Sequence, residues 1–75
     1  MKETLKHLNS QEWFEADDFY AITIYIGSVV LQGHYSHEAL KKYSDAGFIF
    51  EINPRTKYIE TCEERDGFKY RIALT

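Results

Sequence analysis

The dipeptide Asp66-Gly67 separates two runs of alternating character, Ile59 to Arg65 and Phe68 to Leu74. Asp-Gly between such runs is the strongest short-range signal for a two-residue reversal, because both central positions take positive φ. Closing the ribbon there pairs Glu63 with Tyr70, Thr61 with Ile72 and Ile59 with Leu74. Phe68, Tyr70, Ile72 and Leu74 then share one face with Ile59. The other face pairs Glu64 with Lys69, Cys62 with Arg71 and Glu60 with Ala73. A slip of one residue would mix these sets, so the pattern itself specifies the register.

Two further reversals extend this hairpin. Gly27-Ser28 reads as a Gly-X turn and pairs Ile26 with Val29, Ile24 with Leu31, Ile22 with Gly33 and Tyr20 with Tyr35. Its apolar face gathers Ile22, Ile24, Ile26, Val29 and Leu31. Its other face carries Ala21, Thr23, Tyr25, Val30, Gln32 and His34. Asn53-Pro54-Arg55-Thr56 makes the third turn, with proline at its first central position, and sets Phe50 opposite Ile59 and Glu51 opposite Tyr58.

Between the hairpins, Ser36 is an N-cap and Glu38 lies in the first turn, where the helix dipole favours an acid. Ala39, Leu40, Tyr43 and Ala46 form an apolar stripe at helical spacing, and Gly47 supplies a left-handed stop. The leading residues 2–16 read as one or two short helices. Leu5 and Leu8 form a helical pair, and Asn9 with Glu12 fits a capping box ahead of Trp13 and Phe14.

The whole chain, residues 1–75, therefore reads as one α+β domain. The expected architecture is a two-layer sandwich with a five-stranded, mostly antiparallel sheet: hairpin 19–35, meander 48–74, and helix 37–46 with the N-terminal helical segment on one face. Seventy-five residues make a thin core, and six Tyr, five Phe and one Trp supply large buried areas that compensate.

Charge and cysteine usage narrow the function classes. Nine Lys and Arg are scattered among twelve acids, giving a formal charge of −3, which disfavours nucleic acid. A single cysteine, Cys62, excludes an internal disulfide and points to a reducing, cytoplasmic setting. The start MKETLKHL has no signal-peptide core, and Ala21 to Leu31 is too short to span a bilayer.

The stretch GHYSHEAL, residues 33–40, sets His34 and His37 three apart beside Glu38. Zinc needs three or four ligands, and neither Cys62 nor His7 completes the pair at diagnostic spacing, so the expectation is a helix start and no metal or other cofactor. Cys62 falls mid-strand on a flat polar face, a poor setting for a nucleophile, and no catalytic set emerges. The acids Glu60, Glu63, Glu64 and Asp66 read as a solvated rim or as a patch for a basic partner. Tyr25, Val30, Ile49 and Tyr58 make the outward face more apolar than solvation requires.

The expected function is thus a small non-enzymatic module that binds another protein, with Tyr25 and Tyr58 as anchors and the acidic rim beside them. Its size and lack of motifs suit an inhibitor or accessory factor that occludes a partner surface. By analogy, phage and mobile elements encode proteins of this kind, including inhibitors of host defence. An exposed strand edge offers a route to a homodimer or to strand addition. Single-stranded nucleic acid on the open sheet is the alternative expectation.

Overall fold

A computed structural model describes every residue from Met1 to Thr75. Helix α1 spans Lys2–Asn9 and helix α2 spans His37–Asp45. The strands are β1 (Ala21–Tyr25), β2 (Ser28–Gly33), β3 (Glu51–Ile52), β4 (Ile59–Arg65) and β5 (Phe68–Leu74). A single 3-10 turn, Ala16–Asp18, precedes β1. The sheet order is β1-β2-β5-β4-β3; β2 and β5 run parallel and the other pairs are antiparallel. This is the expected α+β fold with five strands and an antiparallel-rich sheet.

The β4–β5 register is the one the Asp-Gly signal dictates, from Ile59 opposite Leu74 to Glu64 opposite Lys69. Asp66 and Gly67 both take positive φ, 53° and 85°, as a primed turn requires. Ser36 caps α2 by accepting from the Ala39 N–H at 3.0 Å, and Gly47 ends it at φ 99°. Tyr43, on the expected stripe, is fully buried.

Two registers depart from expectation, each by one residue on both strands, so the faces survive. The first reversal turns on Ile26-Gly27 rather than Gly27-Ser28: Tyr25 pairs with Ser28, Ile24 with Val29 and Ile22 with Leu31. Long-range contacts fix this choice. The Gly27 N–H donates to Thr4 Oγ1 at 2.8 Å, and its carbonyl accepts from the Lys69 N–H at 2.9 Å. Ile26 is therefore a turn residue, 86 % exposed, and not part of the core. Tyr20 does not pair with Tyr35; its N–H donates to the Gln32 carbonyl instead.

At the other reversal Glu51 pairs with Glu60 and Ile52 with Ile59, two positions beyond the expected Phe50–Ile59 pair. Asn53 sets this geometry. Its N–H donates to the Tyr58 carbonyl at 2.8 Å, and its side-chain oxygen accepts from the Arg55 and Thr56 N–H groups. The loop is longer than a four-residue turn, and Lys57 closes it at φ 67°.

The N-terminal segment differs too. Asn9 ends α1 rather than capping a new helix, and the chain past Gln11 runs without α-helix to the 3-10 turn. That course carries Trp13 into the core, edge-on to Tyr43, Phe48 and Tyr70. Around it pack Leu8, Phe19, Val29, Leu31, Ile72 and Leu74, all on the helix side of the sheet. Gly33 permits the closest approach: a Cβ there would lie 2.7 Å from the Asp18 carbonyl oxygen.

Candidate functional site

Alternation along the strands gives the sheet a second face, away from α1, α2 and the aromatic core. One row across it runs Thr23, Val30, Arg71 and Cys62; the next runs Ala21, Gln32, Ala73, Glu60 and Glu51. Only Ala73 is fully buried there, beneath its longer neighbours, while Thr23, Arg71, Cys62 and Glu51 are exposed. No second layer covers this face.

Toward β3 the face is concave. A shallow groove of about 590 Å³ is lined by Ile49, Asn53, Arg55, Glu60, Cys62 and Arg71, among others. Its floor is organised around Glu60. Arg71 Nη2 lies 3.0 Å from Glu60 Oε1, and Asn53 Nδ2 donates to Glu60 Oε2 at 2.9 Å. Both carboxylate oxygens are thus occupied. The register also sets Glu51 directly opposite Glu60, an unfavourable like-charge pair that Arg71 and Asn53 offset.

The sequence-derived candidates are dispersed over this framework. Val30 lies mid-face and is half-buried; Ile49, 71 % exposed, lines the groove. Tyr25 and Tyr58 are both about half exposed, but they occupy diagonally opposite corners of the sheet, at the end of β1 and just before β4. Glu60 and Glu64 stand on the open face. Glu63 does not: it shares the helix face with Tyr70, and Arg65 Nη2 lies 3.8 Å from it. Asp66 occupies the β4–β5 turn and faces α1. The four acids therefore form no single patch.

Asp66 belongs instead to a chain of contacts that pins α1 to the sheet. His7 Nε2 lies 3.2 Å from Asp66 Oδ2, and His7 Nδ1 lies 2.5 Å from the Tyr70 hydroxyl. The imidazole stacks on Phe68 with ring centroids 4.4 Å apart. An Asp–His–Tyr series resembles an acid–base relay in connectivity. Tyr70 is wholly buried, however, so its hydroxyl has no route to a substrate, and the series serves as a clasp. Burial, with the Asp66 charge, raises the Tyr70 pKa above the ordinary phenol value.

A second clasp joins the 3-10 turn to α2. Tyr43 donates to Asp18 Oδ2 at 2.5 Å, and Lys42 Nζ lies 2.7 Å from Asp18 and 2.8 Å from Glu15. The Lys42 and Tyr43 hydrogen bonds hold the Asp18 carboxyl below its ordinary range. Burial, then Asp18, pushes the Tyr43 hydroxyl well above its own. Arg65 makes a third clasp, stacking 4.0 Å from the Phe48 ring centroid and donating to the Ala46 carbonyl at 2.8 Å.

The histidines of the GHYSHEAL stretch separate: His34 packs on Tyr20 at 4.8 Å and His37 opens α2. No three His, Cys, Asp or Glu side chains gather as a metal-binding group. Cys62 is exposed in the groove lining, directly opposite Arg71 in the β4–β5 register.

Sequence reasoning missed the roles of His7, Asp18 and Arg65. Only α1 carried a trace: Thr4 and Leu8, both buried, mark the inward stripe on which His7 is the flanking residue. No helix is long and apolar enough to cross a membrane. Compared with known proteins, the chain matches no family model, no curated protein and no solved structure.

Proposed function

We propose that this protein is a non-enzymatic binding module that docks another protein on the open face of its sheet and acts by occluding that partner's surface. One observation carries the reading. The central strands bury their helix-side residues while the other face stays uncovered, with a groove bounded by exposed Ile49 and by Glu60, Cys62 and Arg71. A groove with one apolar wall and paired charges on its floor suits a protein surface, where apolar anchors supply affinity and fixed charges supply orientation.

We assign the surface by shared face and exposure. Val30, Ile49, Glu60, Glu64 and Arg71 share the face, with Tyr25 and Tyr58 as its corners. Glu63 and Asp66 are assigned to holding the fold. With Glu51 and Glu64 free of salt bridges, the β3–β4 side remains acidic and fits a partner that presents basic residues.

The test is capture of a partner from the native host by the unaltered chain and by a variant carrying Ile49→Ser and Glu64→Lys. Both positions are exposed, so the variant should keep its melting temperature and lose the partner. Equal capture by both chains would remove the open face from consideration. Binding to a labelled single-stranded oligonucleotide that falls steeply with salt would redirect the reading to nucleic acid.

A further inference from the structure

The β1 edge of the sheet is unpaired, and its composition is unusual for an edge. Ala21–Tyr25 carries no charge, no proline and no glycine, whereas free edges are ordinarily blunted by lysine, proline or a bulge. Because Tyr25 and Ser28 close a two-residue reversal, Tyr25, Thr23 and Ala21 bond inward to β2. The N–H and C=O groups of Ile22 and Ile24 therefore point out of the sheet.

We propose that two copies of this chain associate by antiparallel pairing of their β1 edges about a two-fold axis at Thr23. The axis relates Ile22 of one copy to Ile24 of the other and the reverse, the reciprocal contact of an isologous interface. In that register Ile22 of each copy lies opposite Ile24 of the other, and each such pair exchanges both its hydrogen bonds. The four isoleucines fall on the helix side and join the two cores into one apolar layer. This gives a partner to Ile22, which the isolated chain leaves 38 % exposed. Ile26, 86 % exposed at the turn, is carried to the rim of the same seam.

Asp17, the residue of the acidic run 15–18 that Lys42 does not hold, precedes β1 at one end, and Lys69, whose N–H bonds the Gly27 carbonyl, flanks the turn at the other. Antiparallel two-fold pairing sets the Asp17 end of each copy toward the Lys69 end of the other. Growth stops at the dimer, because β3 at the far edge has only two residues and is followed by Pro54. One five-residue edge buries less than the ~1,200 Å² typical of a stable complex, so the dimer belongs to the weak, concentration-dependent class.

Sedimentation velocity over a micromolar to millimolar series should show reversible monomer–dimer exchange. Amide exchange at Ile22 and Ile24 should slow as concentration rises, while that at Glu51 should not. Thr23→Lys, exposed in the monomer, places two like charges across the axis and should weaken association by about tenfold or more with the melting temperature of the dilute protein unchanged. A chain that stays monomeric throughout, or a dimer that survives Thr23→Lys with unprotected Ile22 and Ile24 amides, overturns the proposal. The contact uses the β1 backbone and the helix-side isoleucines and reaches the open face only at its β1 margin. The groove at Ile49, Glu60 and Arg71 lies at the opposite side of the sheet and stays free, so loss of dimerisation leaves partner binding at that groove standing, and the reverse.

Discussion

Strand β5 passes through two environments at every step. Tyr70, Ile72 and Leu74 are at most 2 % exposed on the helix side, whereas Lys69 and Arg71, which alternate with them, are exposed on the other and only the short Ala73 is buried there. The same backbone therefore serves a packed interior and a bare surface. Apolar burial, which dominates folding free energy, is confined to the first. The second is free to vary without loss of the fold, which makes it the place to seek function.

Neighbouring substitutions test that division most sharply. Ile72→Asp buries an unpaired charge among Leu31, Thr61 and the aromatic core and should abolish folding. Arg71→Gln, one residue away, removes a half-exposed partner of Glu60, whose carboxylate keeps its Asn53 bond, and should cost no more than about 1–2 kcal/mol. Urea unfolding followed by circular dichroism distinguishes the two. Comparable damage from both would mean that the open face is a structural surface.

Packing and the clasps come next in size. Gly33→Ala sets a methyl group 2.7 Å from the Asp18 carbonyl, which is backbone and cannot swing aside. A loss of about 1–3 kcal/mol is expected from overpacking. Tyr70→Phe keeps the buried ring and deletes only its bond to His7, leaving a largely buried imidazole nitrogen unpartnered. Its expected cost is about 1–3 kcal/mol, and Thr4 and Leu8 amides should exchange faster as α1 loosens. Full protection of α1 in that variant would show that Leu8 packing, the Thr4–Gly27 bond and the remaining His7 contacts hold the helix without the Tyr70 hydroxyl.

The same division explains what was legible in the sequence. Face assignments follow from a period of two that every strand obeys, and the Asp66-Gly67 turn needs positive φ at both positions, so the β4–β5 pairing could be read residue by residue. Gly27 and Asn53 were ambiguous for a physical reason: each reversal could close in two ways with the same faces. The choice was made by Thr4 and Lys69 in one case and by Tyr58, Arg55 and Thr56 in the other. The clasps at His7, Asp18 and Arg65 join residues about twenty to sixty positions apart, and no local pattern encodes such pairings. For the site, Val30, Ile49, Glu60 and Glu64 followed from alternation. The groove depends on how the 53–58 loop curls, which local propensity does not specify.

The Asp18 clasp predicts a pH dependence. Its carboxyl titrates below the ordinary 3.8 when folded, so the unfolded chain binds the proton first as pH falls. The stabilisation is complete above about pH 4 and is lost as pH drops through the folded value. Asp18→Asn should therefore flatten the acid limb of a melting-temperature profile while lowering its neutral plateau. An unchanged acid limb would assign acid sensitivity to other carboxylates.

The smallest expected effects fall on the open face. Ile49→Ser and Tyr58→Ser each remove an apolar side chain that already meets water, so little burial is forfeited and stability should move by no more than about 0.5 kcal/mol. The Ile49 change carries the sharper information. Its side chain walls the groove but touches no core cluster, so any larger loss would show that the 48–50 segment is held against β4 by this contact. With stability unchanged, Ile49→Ser separates the surface from the scaffold at one residue, and weakened partner binding can then be charged to the face alone.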